Sequence, residues 1–179
     1  AVVAPALPYG SSGEHQAFPG TLSIGQDALE LVVIELVRSA AADFDRIVLL
    51  SGHAGNLGPV TRAAKQMTNE GHDVTHLFPT WSPDDVETID SHAGRTETSL
   101  MLHLDPEAVR VDLVAPGQTK PLSQIMDAML AGGVDAVSES GVLGDPTPAS
   151  AAEGERLLDL LVKRTIERLL GPSASSSNE

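Results

Sequence analysis

Apolar and polar positions divide the chain into strand-length and helix-length blocks. Residues 46–50 end in an unbroken apolar run, Ile47-Val48-Leu49-Leu50, with the length and character of a buried parallel strand. Upstream, residues 25–41 set Leu29, Leu31, Val32, Ile34, Leu36 and Val37 on one broad apolar face, which predicts a helix. Residues 59–70 predict a second helix ended by Gly71, because glycine takes the left-handed conformation that closes a helix. Residues 74–78 predict another strand, and residues 1–8 (AVVAPALP) a short buried one that stops at proline. Strand and helix alternating at this spacing predict βαβ units and an α/β sheet.

The second half is less regular. Residues 94–104 predict a short helix with Thr96, Glu97, Thr98 and Ser99 at its start and Leu100, Met101, Leu102 and Leu104 as its core face. Between 105 and 136 only residues 122–131 carry a helical pattern. Residues 141–146 (GVLGDP) form a loop, and residues 149–170 a long closing helix with Leu157, Leu158, Leu160, Leu161, Ile166, Leu169 and Leu170 apolar. The last nine residues, 171–179 (GPSASSSNE), have the composition of a disordered tail. One domain is expected over 1–170.

Charge and composition exclude several function classes. The net charge is −14, and no basic patch is longer than two residues. No nucleic-acid partner is expected, because phosphate contacts need lysine and arginine. No run of 18 apolar residues occurs, so no membrane span is expected. The first residues lack the basic flank of a signal peptide, and the expected location is cytoplasmic. Cysteine is absent, so any metal would be held by histidine and carboxylate. Aromatics are 3% of the chain, which predicts a core of Val, Leu, Ile and Ala.

Candidate chemistry sits in two loops that each set a histidine among small residues. Ser51-Gly52-His53-Ala54-Gly55-Asn56 directly follows the strand at 46–50. In open α/β sheets ligands bind beyond the carboxyl ends of the strands, and the flanking glycines allow a tight turn and close approach. Imidazole is a common zinc and iron ligand whose second nitrogen is fixed by a hydrogen bond. Asn56 or a backbone carbonyl can provide that bond. Alternatively, His53 merely caps the following helix. Asp90-Ser91-His92-Ala93-Gly94 leads into Glu97, where a carboxylate is favoured by the helix dipole. Alternatively, Glu97 is a plain capping acid. Glu14-His15, in a Gly/Ser loop, is a third candidate, with simple solvation as its alternative. His72 and His76 fall in a turn and a strand and are not expected to converge. No G-x-S-x-G elbow supports a serine hydrolase.

Five motifs in order resemble the creatininase family of metal-dependent amidohydrolases. They are Tyr9-Gly10-Ser11-Ser12-Gly13-Glu14-His15, Phe18-Pro19-Gly20-Thr21, Ser51-Gly52-His53-Ala54-Gly55-Asn56, Asp90-Ser91-His92-Ala93-Gly94 with Glu97-Thr98-Ser99, and Gly141-Val142-Leu143-Gly144-Asp145-Pro146. Within the family, the resemblance is to the branch that trims a C-terminal Val-Tyr dipeptide from a modified precursor peptide in mycofactocin maturation. It implies a three-layer α/β/α fold with a mostly parallel sheet and a metal centre at the strand ends. By the same resemblance His53 is a metal ligand and His92 the general acid/base. Glu97 is a metal ligand or the base for bound water. Glu14, His15 and Trp81 lie on the substrate side, with Trp81 walling the pocket or simply filling a core. The implied metal is Fe2+, Zn2+ or Mn2+.

Two departures from the family pattern bear on this. Creatininase has a metal-binding Glu two residues after the ligating His, and here that position is Gly55. A second metal would then draw on another carboxylate, such as Glu97. The family also has an upstream Glu-x-His segment followed by an Asp that supplies most of the ligands, which residues 1–179 do not contain. The expectation is that this segment belongs to the same polypeptide, either cleaved off and still bound as a separate chain or left out of residues 1–179. The other expected partners are a peptide substrate and further copies in a homo-oligomer. The competing functions are hydrolysis of a small cyclic amide or formamide, and a non-catalytic α/β binding subunit.

Overall fold

The computed structural model describes residues 1–81 and 90–170. They fall into two compact units, Ala1–Phe78 with Asp127–Ala136, and Pro79–Met126 with Val137–Glu179.

The first unit is built on a βαβ core. Strand β1 (Arg46–Leu50) runs parallel to β2 (Asp73–Leu77), with Ile47 opposite Val74 and Leu49 opposite His76. Helix α2 (Leu57–Asn69) forms the crossover, and α1 (Gln26–Ala40) packs beside it. Leu29, Val33, Ile34 and Val37 of α1 meet Val60, Ala63 and Met67 of α2, with Ile47, Leu49 and Val74 of the strands against them. Such a parallel pair is the expected product of strand, helix and strand in succession.

Local signals set the boundaries. Gly25, at φ 78°, opens α1. Gly71, at φ 94°, closes α2: its N–H donates to Thr68 O (3.0 Å) and that of His72 to Met67 O (3.1 Å). Those two bonds satisfy carbonyls that the helix end would otherwise leave open.

Two expectations in this unit are corrected. Residues 1–8 form no strand and are exposed throughout. Pro5 and Pro8 lack the N–H a ladder needs. The buried side of α1 is also narrower than its sequence, because Leu31, Val32 and Leu36 are exposed. The i, i+4, i+8 row Leu29, Val33 and Val37 carries the packing, as helical geometry requires.

In the second unit, α3 (Arg95–Leu104) packs on α5 (Ala151–Leu170). The expected core face of α3 is corrected here. Met101 and Leu104 are exposed, while Thr96 and Ser99 are buried. The cause is Gly154 of α5: an added Cβ would run into the Ser99 carbonyl and lie 2.9 Å from His103 Cβ. The helices approach so closely that only small side chains fit between them. Leu157, one turn beyond Gly154, is fully buried. Helix α4 (Leu122–Gly132), whose residues from Asp127 onward belong to the first unit, matches the pattern at 122–131 and is followed by Gly133 at φ 86°.

Candidate functional site

The loop after β1 carries the first candidate. The Ser51 N–H donates to Leu77 O (3.1 Å), so the parallel pairing runs to the very start of the loop. Two residues later His53 is in extended conformation, and its ring meets the segment around residues 10–15. Three oxygens surround His53 Nε2: Ser11 O at 2.9 Å, Glu14 Oε1 at 3.1 Å and Ser12 Oγ at 3.2 Å. A carbonyl only accepts, so the contact with Ser11 O places a hydrogen on Nε2. Of the two orienting groups the sequence offered, the backbone carbonyl is the one observed. Asn56 instead bonds to the chain on either side. Its Oδ1 accepts the Ser11 N–H (2.8 Å), and its Nδ2 donates to Ser51 Oγ (3.3 Å). Asn56 thereby clamps the 10–12 segment over the loop.

Glycines make the convergence possible. A Cβ on Gly55 would lie 2.6 Å from both Glu14 Oε1 and His53 Nε2, and against the Ser11 carbonyl. A Cβ on Gly10 would lie 2.6 Å from Asn56 Oδ1. The Glu14 backbone is anchored separately, because its carbonyl accepts the Val134 N–H (2.8 Å). His15 lies beside the pair, with Nε2 3.8 Å from Glu14 Oε1 and its ring centroid 6.3 Å from that of His53. The sequence proposed Glu14, His15 and His53 separately, and the fold brings them together. Ser11 and Ser12, the other partners of the ring, stand in the same motif as Glu14, but nothing in the sequence marked them as contacts of His53.

The second candidate is the turn into α3. His92 pairs its backbone with Leu143 of the 141–146 loop. The Leu143 N–H donates to His92 O (2.8 Å), and the His92 N–H donates to Leu143 O (3.3 Å). Ala93 follows at φ 51°, a left-handed conformation unusual for a residue with a Cβ. Glu97 Oε2 accepts the Ala93 N–H at 2.5 Å and lies 3.5 Å from His92 Nδ1. Glu97 thus supports the helix start as a capping acid does and also faces the imidazole.

Polar bonds brace this turn. Glu153 of α5 accepts from Arg95 Nε (2.7 Å) and from the buried Ser99 hydroxyl (3.5 Å). Ser99 Oγ in turn accepts the Ser150 N–H (3.1 Å). Trp81 is half-buried in this unit and donates its indole N–H to Leu157 O (3.3 Å). Among the described residues, no three His, Asp or Glu side chains come together as a metal-holding group. The donor set for a metal is therefore incomplete within them, since catalytic metals usually have three protein ligands.

Comparison with known proteins gives this pair of loops a family. Residues 1–169 match the profile described as creatininase, creatinine amidohydrolase. The chain belongs to the creatininase family. A mycofactocin precursor peptide peptidase of Mycolicibacterium smegmatis is 48% identical over 169 residues, 94% of this chain and 66% of that protein. Its counterpart in Mycobacterium tuberculosis is 46% identical over 168 residues, 94% of this chain and 65% of that protein. The chain thus spans just under two thirds of the length of these relatives. Creatininase-family structures share the fold. A Bacteroides fragilis protein has a TM-score of 0.75 at 24% identity, covering 98% of this chain and 74% of that one. The structure described as "Creatininase Mn" has a TM-score of 0.71 at 25% identity, covering 94% and 76%. A mutant creatininase of "Zn-Zn type" has a TM-score of 0.69 at 26% identity, covering 92% and 73%. The α/β fold with a parallel sheet is therefore that of the creatininase family.

Proposed function

We propose that this chain hydrolyses a peptide amide bond, releasing a C-terminal dipeptide from a modified precursor peptide in mycofactocin maturation. The observation that carries this reading is the near-50% identity to relatives named as peptidases of that precursor, along almost the whole chain. The His92–Glu97 pair supplies matching chemistry. An imidazole beside a carboxylate can take a proton from the attacking water and return one to the departing amine. Glu97 faces Nδ1 of the ring, and the proton exchange with substrate is assigned to Nε2. The His92 backbone is fixed by its pairing with Leu143, which suits a group that must serve two steps from one place. Glu14 and His15 are assigned to the substrate side of the His53 loop, and Trp81 to the pocket wall.

A divalent metal, Zn2+, Fe2+ or Mn2+, belongs to this proposal and is supported by the manganese and zinc forms of creatininase. Its chemistry would be to acidify a bound water and polarise the amide carbonyl. His53 is the proposed ligand, and Glu97 is proposed as a ligand or as the base for bound water. The described residues do not complete a ligand set, so the proton steps above are derived from the side chains alone. Assembly as a homo-oligomer is also proposed, supported by the exposed apolar side chains Val162, Ile166 and Leu170 of α5.

The test is a substrate panel. Peptides ending in Val-Tyr, peptides with other termini, and small lactams and formamides are offered to the metal-loaded protein. Release of Val-Tyr with little turnover of the others is the expected result. Turnover of lactams or formamides alone would replace the peptidase reading with that of a small-amide hydrolase.

A further inference from the structure

The turn that presents His92 needs something to hold it, and Glu97 holds only one end. The other end converges on Asp90, a half-buried residue outside the catalytic pair. A Cβ on Gly94 would run into the Asp90 side chain, whose Cβ, Cγ and Oδ2 are its three nearest atoms. A Cβ on Gly144 would meet the same side chain, with Asp90 Cγ at 2.6 Å and Cβ at 2.8 Å. Asp90 Oδ2 also accepts the Thr96 N–H (3.4 Å), one of the donors the first turn of α3 leaves open. Gly94, the N-cap of that helix, has no side chain to do this. One carboxylate therefore touches the turn, the helix start and the loop whose Leu143 pairs with His92.

The Gly94 backbone explains why this matters. Its φ of −88° and ψ of −153° are open to residues with side chains. Glycine is required there by the neighbouring carboxylate rather than by the dihedrals. We propose that Asp90 is a positioning residue: packed against the bare faces of Gly94 and Gly144, it holds the left-handed turn at Ala93 that brings His92 to Glu97. This rests on the acid/base role proposed for His92. A displacement of about 1 Å in a reacting group can lower a rate about a hundredfold, so a residue that never touches substrate can still govern turnover.

The test compares Asp90→Ala, Asp90→Asn, Gly94→Ala and the double variant Asp90→Ala/Gly94→Ala in the full chain, with a synthetic peptide ending in Val-Tyr. Asp90→Ala should lower kcat at least about tenfold with KM little changed, the mark of lost orientation rather than lost binding. Asp90→Asn keeps the size and an acceptor oxygen and should retain most of the rate. Gly94→Ala should be as impaired as Asp90→Ala, and the double variant should lose less than the product of the two losses, because both changes act on the same contact. Amide exchange at Ala93 is read in parallel and needs no substrate. It should quicken in Asp90→Ala and Gly94→Ala by more than any change in global stability accounts for. If Asp90→Ala does not fold, Gly94→Ala carries the test, since it displaces the carboxylate without deleting it. Unchanged Ala93 exchange in the folded variants, or multiplicative losses in the double variant, would overturn the proposal. If the wild-type protein fails to cleave the peptide, the peptidase reading falls, while the exchange measurement still decides the role of Asp90.

Discussion

The two histidine loops are held in opposite ways. At His53 the ring is fixed: three oxygens from residues 11–14 surround one nitrogen, and Asn56 locks that segment in place. At His92 the backbone is fixed, by Leu143 on one side and the Ala93 turn on the other, while the ring faces the Glu97 carboxylate at 3.5 Å. A ring with a fixed orientation suits a static duty such as ligating an ion. A ring on a rigid backbone beside a carboxylate suits a group that gains and loses a proton. The contrast fits the two different duties proposed for the loops.

The largest effect on this contrast is expected from Glu97→Ala. It removes both the carboxylate that faces the His92 ring and the acceptor of the Ala93 N–H. Turnover of a Val-Tyr peptide should fall about a hundredfold or more, measured by product release under saturating substrate. Retention of full rate would leave Glu97 as only a helix cap.

Packing changes should act on the two loops separately. Gly55→Ala pushes a methyl group between Glu14, His53 and the Ser11 carbonyl. Gly154→Ala drives α5 away from Ser99. Each should cost about 1–3 kcal/mol of stability as overpacking does, read by denaturant unfolding. Gly55→Ala should additionally lower metal content, and Gly154→Ala should not. Equal effects on metal would mean that the two regions are not distinct in duty.

The smallest effect is expected far from both loops. Arg38 of α1 donates to Glu70 through Nε (3.0 Å) and Nη2 (2.7 Å), and Gln66 adds a third bond. These bonds hold the Glu70 carboxyl at about 2, below its ordinary 4.5. A carboxyl with a lowered folded-state pKa adds stability that is present above its unfolded value and is lost as pH falls through the folded one. Glu70→Gln should therefore narrow the stability difference between pH 6 and pH 2 slightly. The pair is exposed and screened by salt, so the change should be small. An acid titration of unfolding midpoints checks this, and a variant with a steeper acid dependence than wild type contradicts it.

Legibility in the sequence followed the range of the forces involved. The run at 46–50 became β1 with the same limits, and the helix closed by Gly71 ends one residue before the expected position. Both depend on local pattern and on the conformation of single residues. His53 was singled out for the same reason: it follows a strand. Its meeting with Glu14, Ser11 and Ser12 was not, because these residues lie some forty positions away and nothing in a serine announces a carbonyl contact. The buried face of α3 was misplaced because apolar residues at 100–104 outweigh Thr96 and Ser99 by hydrophobicity, while a glycine on the facing helix decides which side can approach. Asp90 was hidden likewise, its importance visible only in the two glycines that make room for it.

The most direct test of this division of labour measures metal content and peptide turnover on the same samples of His53→Ala and His92→Ala. The account predicts that His53→Ala loses bound metal, whereas His92→Ala keeps nearly all of it and loses turnover by about two to four orders of magnitude. Full turnover by His92→Ala, or unchanged metal in His53→Ala, would contradict it.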